Sequence, residues 1–255
     1  MFEQMAQERV LLKQIREKCS KTSQDGISII ASTNKPTYIN NIFINYLGFS
    51  YPYKELIIIL NNNTLNIKDY ELKAEGLKDV RIFQLDEDYS LGECLNFGIE
   101  QSQYNYISKM DDDDYYGVNY LTDLMNVFKY TDAQITGKTS RFIYFENNNT
   151  LSIFSPNQEN RYVSRNIAGG TITFKKEIFD KVRFRNIKKN GVDTHFLRDC
   201  SEIGIKMFSA DKFNYVYMKH KNLDDHTWKI SSQELMRYYS KKFLVTTNFF
   251  PFVTV

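Results

Sequence analysis

Residues 109 to 116 read KMDDDDYY, four consecutive aspartates entered from a short apolar stretch and left through two tyrosines. Adjacent carboxylates repel and raise one another's pKa, so the run costs stability unless a cation sits on it. A solvated acidic turn, or the acidic first turn of a helix, would also account for it. In an extended chain, Asp111 and Asp113 would point one way and Asp112 and Asp114 the other. Two carboxylates on one side of a strand end make a mount for an oxygen-seeking divalent cation, Mg²⁺ or Mn²⁺. A cation held by only two side chains keeps open positions for a diphosphate. The chain has neither the GxxxxGK[ST] of a P-loop nor GxGxxG, so a metal is the expected means of holding phosphate.

A strand must deliver these aspartates, and the preceding sequence supplies one. Residues 3–19 repeat apolar side chains at helical spacing among charges and predict an amphipathic helix, broken by KTSQDG. ISIIAS (27–32) is a continuous β-branched run, the pattern of a strand buried on both faces. Residues 34–37 predict a turn and 38–47 a helix. ELIIIL is a second buried strand that stops at Asn61, residues 80–85 a third, and 90–103 a helix. Residues 104–110 form the fourth strand. Strands alternating with helices imply a doubly wound parallel sheet with right-handed crossovers. Ligands of such sheets collect at the carboxyl ends of the strands, where Thr33, Asn61 and the aspartates lie.

The second half reads differently. Residues 134–155 predict paired strands around ENNNT, and 167–179 a strand entered through Gly169 and Gly170 that leads into a short helix. Residues 191–204 predict a helix with Asp193 at its start. A strand-like stretch (206–220) then gives way to the polar loop KNLDDHTWK. No repeat or low-complexity linker divides the chain. The expected organisation is an N-terminal helix (1–25) followed by one α/β domain (26–255).

The 255 residues are enough for a sizeable core, and 42% hydrophobic and 15% aromatic content describe a globular chain. A net charge of +2 is too balanced for a nucleic-acid binder. Cys19, Cys94 and Cys200 lie far apart in no metal-binding spacing, which suits free thiols in a reducing cytoplasm. The N-terminus lacks the apolar core of a signal peptide, and no window approaches the roughly 20 apolar residues of a membrane span. The apolar ending FLVTTNFFPFVTV suits core packing, a homo-oligomer contact or a peripheral inner-membrane contact.

The order ISIIAST-NKP, KELIIILNNN, SLGECLNFGI, YISKMDDDDYY resembles the nucleotide-binding half of family-2-type glycosyltransferases with the GT-A fold, a mixed, mainly parallel sheet flanked by helices. AGGTITF looks like the family's acceptor-side glycine turn, GVDTHFL like its (E)D motif, and DDHTW like a C-terminal loop that closes over the diphosphate. Within the family the ensemble most resembles bacterial CgeB-type enzymes of spore-coat or envelope glycan. The resemblance spans roughly residues 27–230. It divides the domain into a nucleotide-binding half (26–117), an acceptor half (118–230) and a C-terminal extension (231–255).

The resemblance implies an inverting transfer from a nucleotide-diphosphate sugar, a UDP-sugar foremost, to a hydroxyl of a glycan or other acceptor. Asp111 and Asp113 would be the DXD pair that contacts ribose and Mn²⁺ or Mg²⁺, with Asp112 as an alternative register. Thr33 would line the nucleotide pocket, and Gly169 and Gly170 would let backbone approach donor or acceptor. Asn61 falls where many members carry a base-reading aspartate, and Ser90 where some carry a basic residue, for which Lys35 or Lys109 could substitute. His226 would be a third metal ligand or a phosphate donor. Asp193 would be the catalytic base, with an N-cap as its ordinary explanation and Asp225 or Asp199 as replacements. His195 and His220 read as bystanders, and Trp228, the only tryptophan, as a packing residue on whose indole face a sugar could also stack. Two rivals stay open: a nucleotidyltransferase, for which Ser32–Pro36 is a poor phosphate loop, and a degenerate, non-catalytic binding module.

Overall fold

The structure is a computed structural model that describes residues 2–22, 24–188, 190–221 and 230–255. Helix α1 (Phe2–Cys19) buries Met5, Leu12 and Cys19, spaced one heptad apart on one face. Strand β1 (Ile27–Thr33) and, after helix α2 (Ile39–Gly48), strand β2 (Lys54–Leu60) are buried along nearly their whole length. Helix α3 (Ile67–Ala74), β3 (Val80–Gln84), α4 (Leu91–Gln101) and β4 (Tyr106–Lys109) complete the first half. The expected strand–helix alternation is present, with boundaries shifted by a residue or two.

The unbroken apolar runs follow from a sheet covered on both sides. Ile29, Leu56 and Ile58 enter one core layer with Phe43 of α2, whereas Ile30, Ile57 and Ile59 enter the opposite layer with Leu95 and Ile99 of α4. Each such side chain contributes roughly 1.5–3 kcal/mol of burial, so the sheet centre is the stable floor on which the site stands.

The remaining strands are β5 (Tyr115–Tyr116), β6 (Ile135–Gly137), β7 (Arg141–Phe145), β8 (Thr150–Phe154), β9 (Arg161–Val163), β10 (Thr173–Lys175), β11 (Met207–Ser209), β12 (Tyr215–Lys219) and β13 (Ser240–Val245). Helix α5 (Tyr120–Tyr130) follows β5, and α6 (Val192–Glu202) precedes β11. Among the described residues they build two sheets. The larger runs β3-β2-β1-β4-β10-β6-β11-β9 and the smaller β13-β8-β7-β12-β5. Strands β3, β2, β1 and β4 are parallel, and β10 joins β4 antiparallel. The aspartates therefore connect the last strand of the parallel block to β5, which pairs with β12 in the small sheet.

The C-terminal residues form β13 at the edge of the small sheet and a short helix, Phe250–Val253. Phe249 and Val253 are buried, and Arg9 of α1 donates to the carbonyls of Pro251 (3.0 Å) and Phe252 (2.7 Å). Part of the tail's apolar character is thus core packing, the first of the expected uses, whereas Val245 and Phe250 stay exposed. No helix of the described residues is long and apolar enough to cross a membrane. The three cysteines are free and buried, as expected.

Candidate active site

Thr33 ends β1, and its hydroxyl lies 2.5 Å from Asp112 Oδ2. Asn61 follows β2; its N–H donates to the Thr33 carbonyl (2.9 Å), and its side-chain amide donates to the Asp86 carbonyl (2.8 Å). These two expected nucleotide residues therefore stand beside the aspartate run at adjacent strand ends. Ser90 caps α4 through a reciprocal pair with Glu93, so this residue is spent on helix geometry.

The run itself does not prolong the strand. β4 stops at Lys109 and residues 112–114 bend, so the alternation of faces expected of an extended chain does not occur. The cause lies in α2. Asn41 donates to the carbonyls of Asp112 (2.7 Å) and Asp114 (2.9 Å), and Asn45 donates to Asp114 as well (2.9 Å). Asp114 turns inward and is 1% exposed, accepting from Tyr215 Oη (2.6 Å) and the Met218 N–H (2.9 Å). It fastens β12 to the aspartate run and takes no part in the crevice.

Asp111 is held at both its backbone and its side chain. Its N–H donates to Tyr116 Oη (2.8 Å), which donates in turn to the Gly170 carbonyl (2.7 Å). Its Oδ1 lies 2.6 Å from Lys109 Nζ, and the same ammonium lies 3.2 Å from Asp193 Oδ2. Burying an ion costs several kcal/mol, so a lysine with a side chain 5% exposed persists only because two carboxylates face it. Burial alone would lower the Lys109 pKa, but Asp111 and Asp193 reverse this and hold it above the usual range.

Asp193 reaches this point from α6. It is not the helix cap: Gly191 occupies that position with φ +106°, and Asp193 is the second helical residue, with no side-chain capping bond. That corrects the ordinary explanation of its presence. Burial raises its pKa, against the opposing pull of Lys109, so the lowered value expected of a capping aspartate is absent.

Gly169 and Gly170 form a tight turn over the two carboxylates. A Cβ on Gly169 would stand 2.1 Å from Asp193 Oδ2, and one on Gly170 would stand 2.6 Å from Asp111 Oδ2. A side chain at either glycine would displace one of these carboxylates, a use that the sequence pattern did not specify.

The remaining carboxyls are crowded. Asp112 and Asp113 are each pushed up to about 7, first by burial and then by their aspartate neighbours, with Lys35 opposing both shifts. His220, read as a bystander, stands beside them. Its Nε2 is 3.9 Å from Asp113 Oδ2, and its Nδ1 is 3.1 Å from Glu146 Oε2. Glu146 and His220 directly follow β7 and β12, which pair in parallel up to Phe145↔Lys219. Their meeting depends on that pairing and left no local signal. His226, Asp225 and Trp228 lie outside the described residues, and Asp199 is engaged at the surface by Arg185 (2.7 Å).

The sequence model described as "Glycosyl transferase family 2" matches residues 28–188, which begin at the second residue of β1 and include the aspartate run. The chain belongs to glycosyl transferase family 2. A poly-beta-1,6-N-acetyl-D-glucosamine synthase of Staphylococcus aureus is 30% identical over 90 residues, which are 35% of this chain and 22% of that protein. The corresponding synthase of Staphylococcus epidermidis is 28% identical over the same shares. The match thus spans about a fifth of these relatives.

Among solved structures, S. aureus TarS 1-349 in complex with UDP-GlcNAc superposes with a TM-score of 0.63 at 14% identity, covering 81% of this chain and 61% of that one. The mannosyltransferase PcManGT from Pyrobaculum calidifontis, in complex with GDP-Man and Mn²⁺, gives a TM-score of 0.60 at 13% identity, covering 84% and 65%. The architecture is the GT-A fold. In this family-2 chain the residues missed from sequence are Tyr116, Glu146 and His220, together with the bridging contact of Lys109.

Proposed function

We propose that this chain is an inverting glycosyltransferase that moves a sugar from a nucleotide-diphosphate donor, a UDP-sugar foremost, to a hydroxyl acceptor in cell-envelope or spore glycan synthesis. The observation that carries this reading is the convergence of Asp111 and Asp193, from opposite halves of the chain, on one buried lysine under a glycine turn. The poly-N-acetylglucosamine synthases and the UDP-GlcNAc complex of TarS support the donor class and the glycan setting.

In the direct displacement, the acceptor oxygen bonds to the anomeric carbon as the bond to the diphosphate oxygen breaks. The acceptor proton passes to Asp193, and the nucleoside diphosphate leaves. Thr33 and Asp112, hydrogen-bonded to each other at the end of β1, would hold the nucleoside. One N–H of the Asn61 side-chain amide donates to the Asp86 carbonyl, which leaves its second N–H and Oδ1 for a base edge.

The donor set suits a hard divalent cation, because the crowded carboxyls of Asp112 and Asp113 are relieved by positive charge. Asp113 and Asp111 Oδ2 would hold Mn²⁺ or Mg²⁺, with His220 alongside and oriented by Glu146. When bound, the metal would neutralise charge on the departing diphosphate. Among the described residues no group of three or more His, Cys, Asp or Glu encloses a cation, so the diphosphate would complete the coordination.

The test is a thermal-shift screen of UDP-, GDP-, dTDP- and CDP-sugars with and without Mn²⁺, followed by transfer assays on the stabilising donor. A melting rise that needs both sugar nucleotide and metal supports the reading. Binding without any transfer would leave a degenerate binding module.

A further inference from the structure

Among the described residues Lys109 alone pairs with both the donor-side carboxylate and the candidate base, and its own position is unusually constrained. It closes β4 in register with Ile30 of β1, and its N–H donates to the Ile172 carbonyl on the other side (2.9 Å). With neighbours on both edges, the root of the side chain has no freedom to drift. The ammonium spans 2.6 Å to Asp111 Oδ1 and 3.2 Å to Asp193 Oδ2.

Asp193 depends on this contact. Among the described residues no other donor reaches its carboxylate; Oδ1 is buried without a hydrogen-bond partner, and the helix start is capped by Gly191. The turn Gly169–Gly170 leaves the space but offers the carboxylate no polar side chain. The rotamer of Asp193 therefore rests on Lys109, which engages Oδ2, while Oδ1 is closed off from solvent.

Resting on the glycosyltransferase reading above, we propose that Lys109 is a positioning residue for the transfer step, orienting the Asp193 carboxylate relative to the donor-side Asp111. Both contacts of its ammonium are to carboxylates, which assigns it to positioning rather than to the donor phosphate. Two consequences distinguish this role from a phosphate-binding or purely structural one. Removing the ammonium should leave Mn²⁺ and donor affinity intact or tighter, since a cation competing for Asp111 is gone. It should also cost nothing further once Asp193 no longer acts as a base, because Lys109 works through that group.

The experiment compares wild type, Lys109→Met, Asp193→Asn and the double variant. It uses calorimetric titration with Mn²⁺ and UDP-sugar, steady-state transfer, and donor hydrolysis by water. Expected for Lys109→Met is unchanged or tighter Mn²⁺ and donor binding, kcat for transfer at least about tenfold lower, and no additional loss in the Asp193→Asn background. Donor hydrolysis, in which no acceptor must be aligned, should fall less than transfer. Undiminished transfer, or a parallel loss of donor affinity, overturns the proposal. Should Lys109→Met not fold, Lys109→Gln, of similar length and uncharged, is read in the same way. Failure of the wild type to bind or use any sugar nucleotide would instead sink the glycosyltransferase reading.

Discussion

Gly169 lies against Asp193 so closely that a Cβ built on it would stand 2.1 Å from the carboxylate Oδ2, and its neighbour Gly170 stands in the same relation to Asp111 at 2.6 Å. One turn thus limits the space of both carboxylates. Gly169→Ala should displace Asp193 and lower transfer at least about tenfold while donor binding survives. Gly170→Ala should instead weaken Mn²⁺-dependent nucleotide binding, since its new methyl meets Asp111 and, at 3.1 Å, Tyr116 Oη. Calorimetry and kinetics on the two variants check the division, and identical phenotypes would argue against it.

Asp193→Asn separates chemistry from structure more cleanly than the sequence alone allowed. Gly191 takes the cap position, so no helix-capping bond is lost in the variant. Donor affinity should stay near wild type and transfer should fall about a hundredfold or more, while loss of one of the two charges facing buried Lys109 should lower the melting temperature. Near-normal transfer would remove Asp193 from the mechanism.

Asp113→Ala should abolish the metal dependence of nucleotide binding. Asp113 is held near 7 by burial and by Asp111, so losing it also relieves repulsion and should raise the melting temperature of the metal-free protein. Calorimetry with UDP in Mn²⁺ is the measurement. An unchanged affinity would shift the metal away from this carboxylate.

The same crowding sets a pH dependence. Asp112 and Asp113 ionise near 7 in the folded protein but near 4 in the unfolded chain, so the folded state holds more protons between those values. Stability of the metal-free protein must therefore fall as pH rises from about 5 to 8. A melting temperature lower by roughly 4 °C or more at the upper end is expected. Asp112→Asn should flatten the slope, and a melting temperature that rises across this window would contradict the assignment.

The parallel half was legible because β1 and β2 are covered on both faces, and only a continuous apolar run satisfies that environment. The end of β4 was legible because charge follows abruptly on apolar residues. The facing of the aspartates was not, since alternation presumes an extended chain. Here Asn41 and Asn45, some seventy residues earlier, take the carbonyls of the run and bend it. Asp193 was found through its motif, but its partner Lys109 was not, because their contact needs α6 to be set beside β4 by the long excursion through β10. Glu146 and His220 meet only once β7 and β12 pair. Local periodicity carries the strands; the pairs of side chains that make a site are long-range, and nothing in a local window encodes them.

Asn61 offers the sharpest test of donor selection. Its backbone is tied to Thr33, and one N–H of its side-chain amide donates to the Asp86 carbonyl, which anchors the amide and leaves Oδ1 without a side-chain donor among the described residues. On the reading that Oδ1 meets the base, it suits the N3–H of uracil and opposes the bare N3 lone pair of cytosine. Leaving a polar group unpaired against the wrong base costs on the order of 1–3 kcal/mol. UDP should thus bind at least about tenfold tighter than CDP under equal Mn²⁺. Asn61→Ala removes the acceptor and should erase most of that preference, lowering UDP affinity far more than CDP affinity. Asn61→Asp should keep the preference for UDP, since a carboxylate also accepts, but it sets a negative charge against the Asp86 carbonyl and should lower the melting temperature. A wild type that treats UDP and CDP alike, or an alanine variant with the preference intact, would place base reading elsewhere in the crevice.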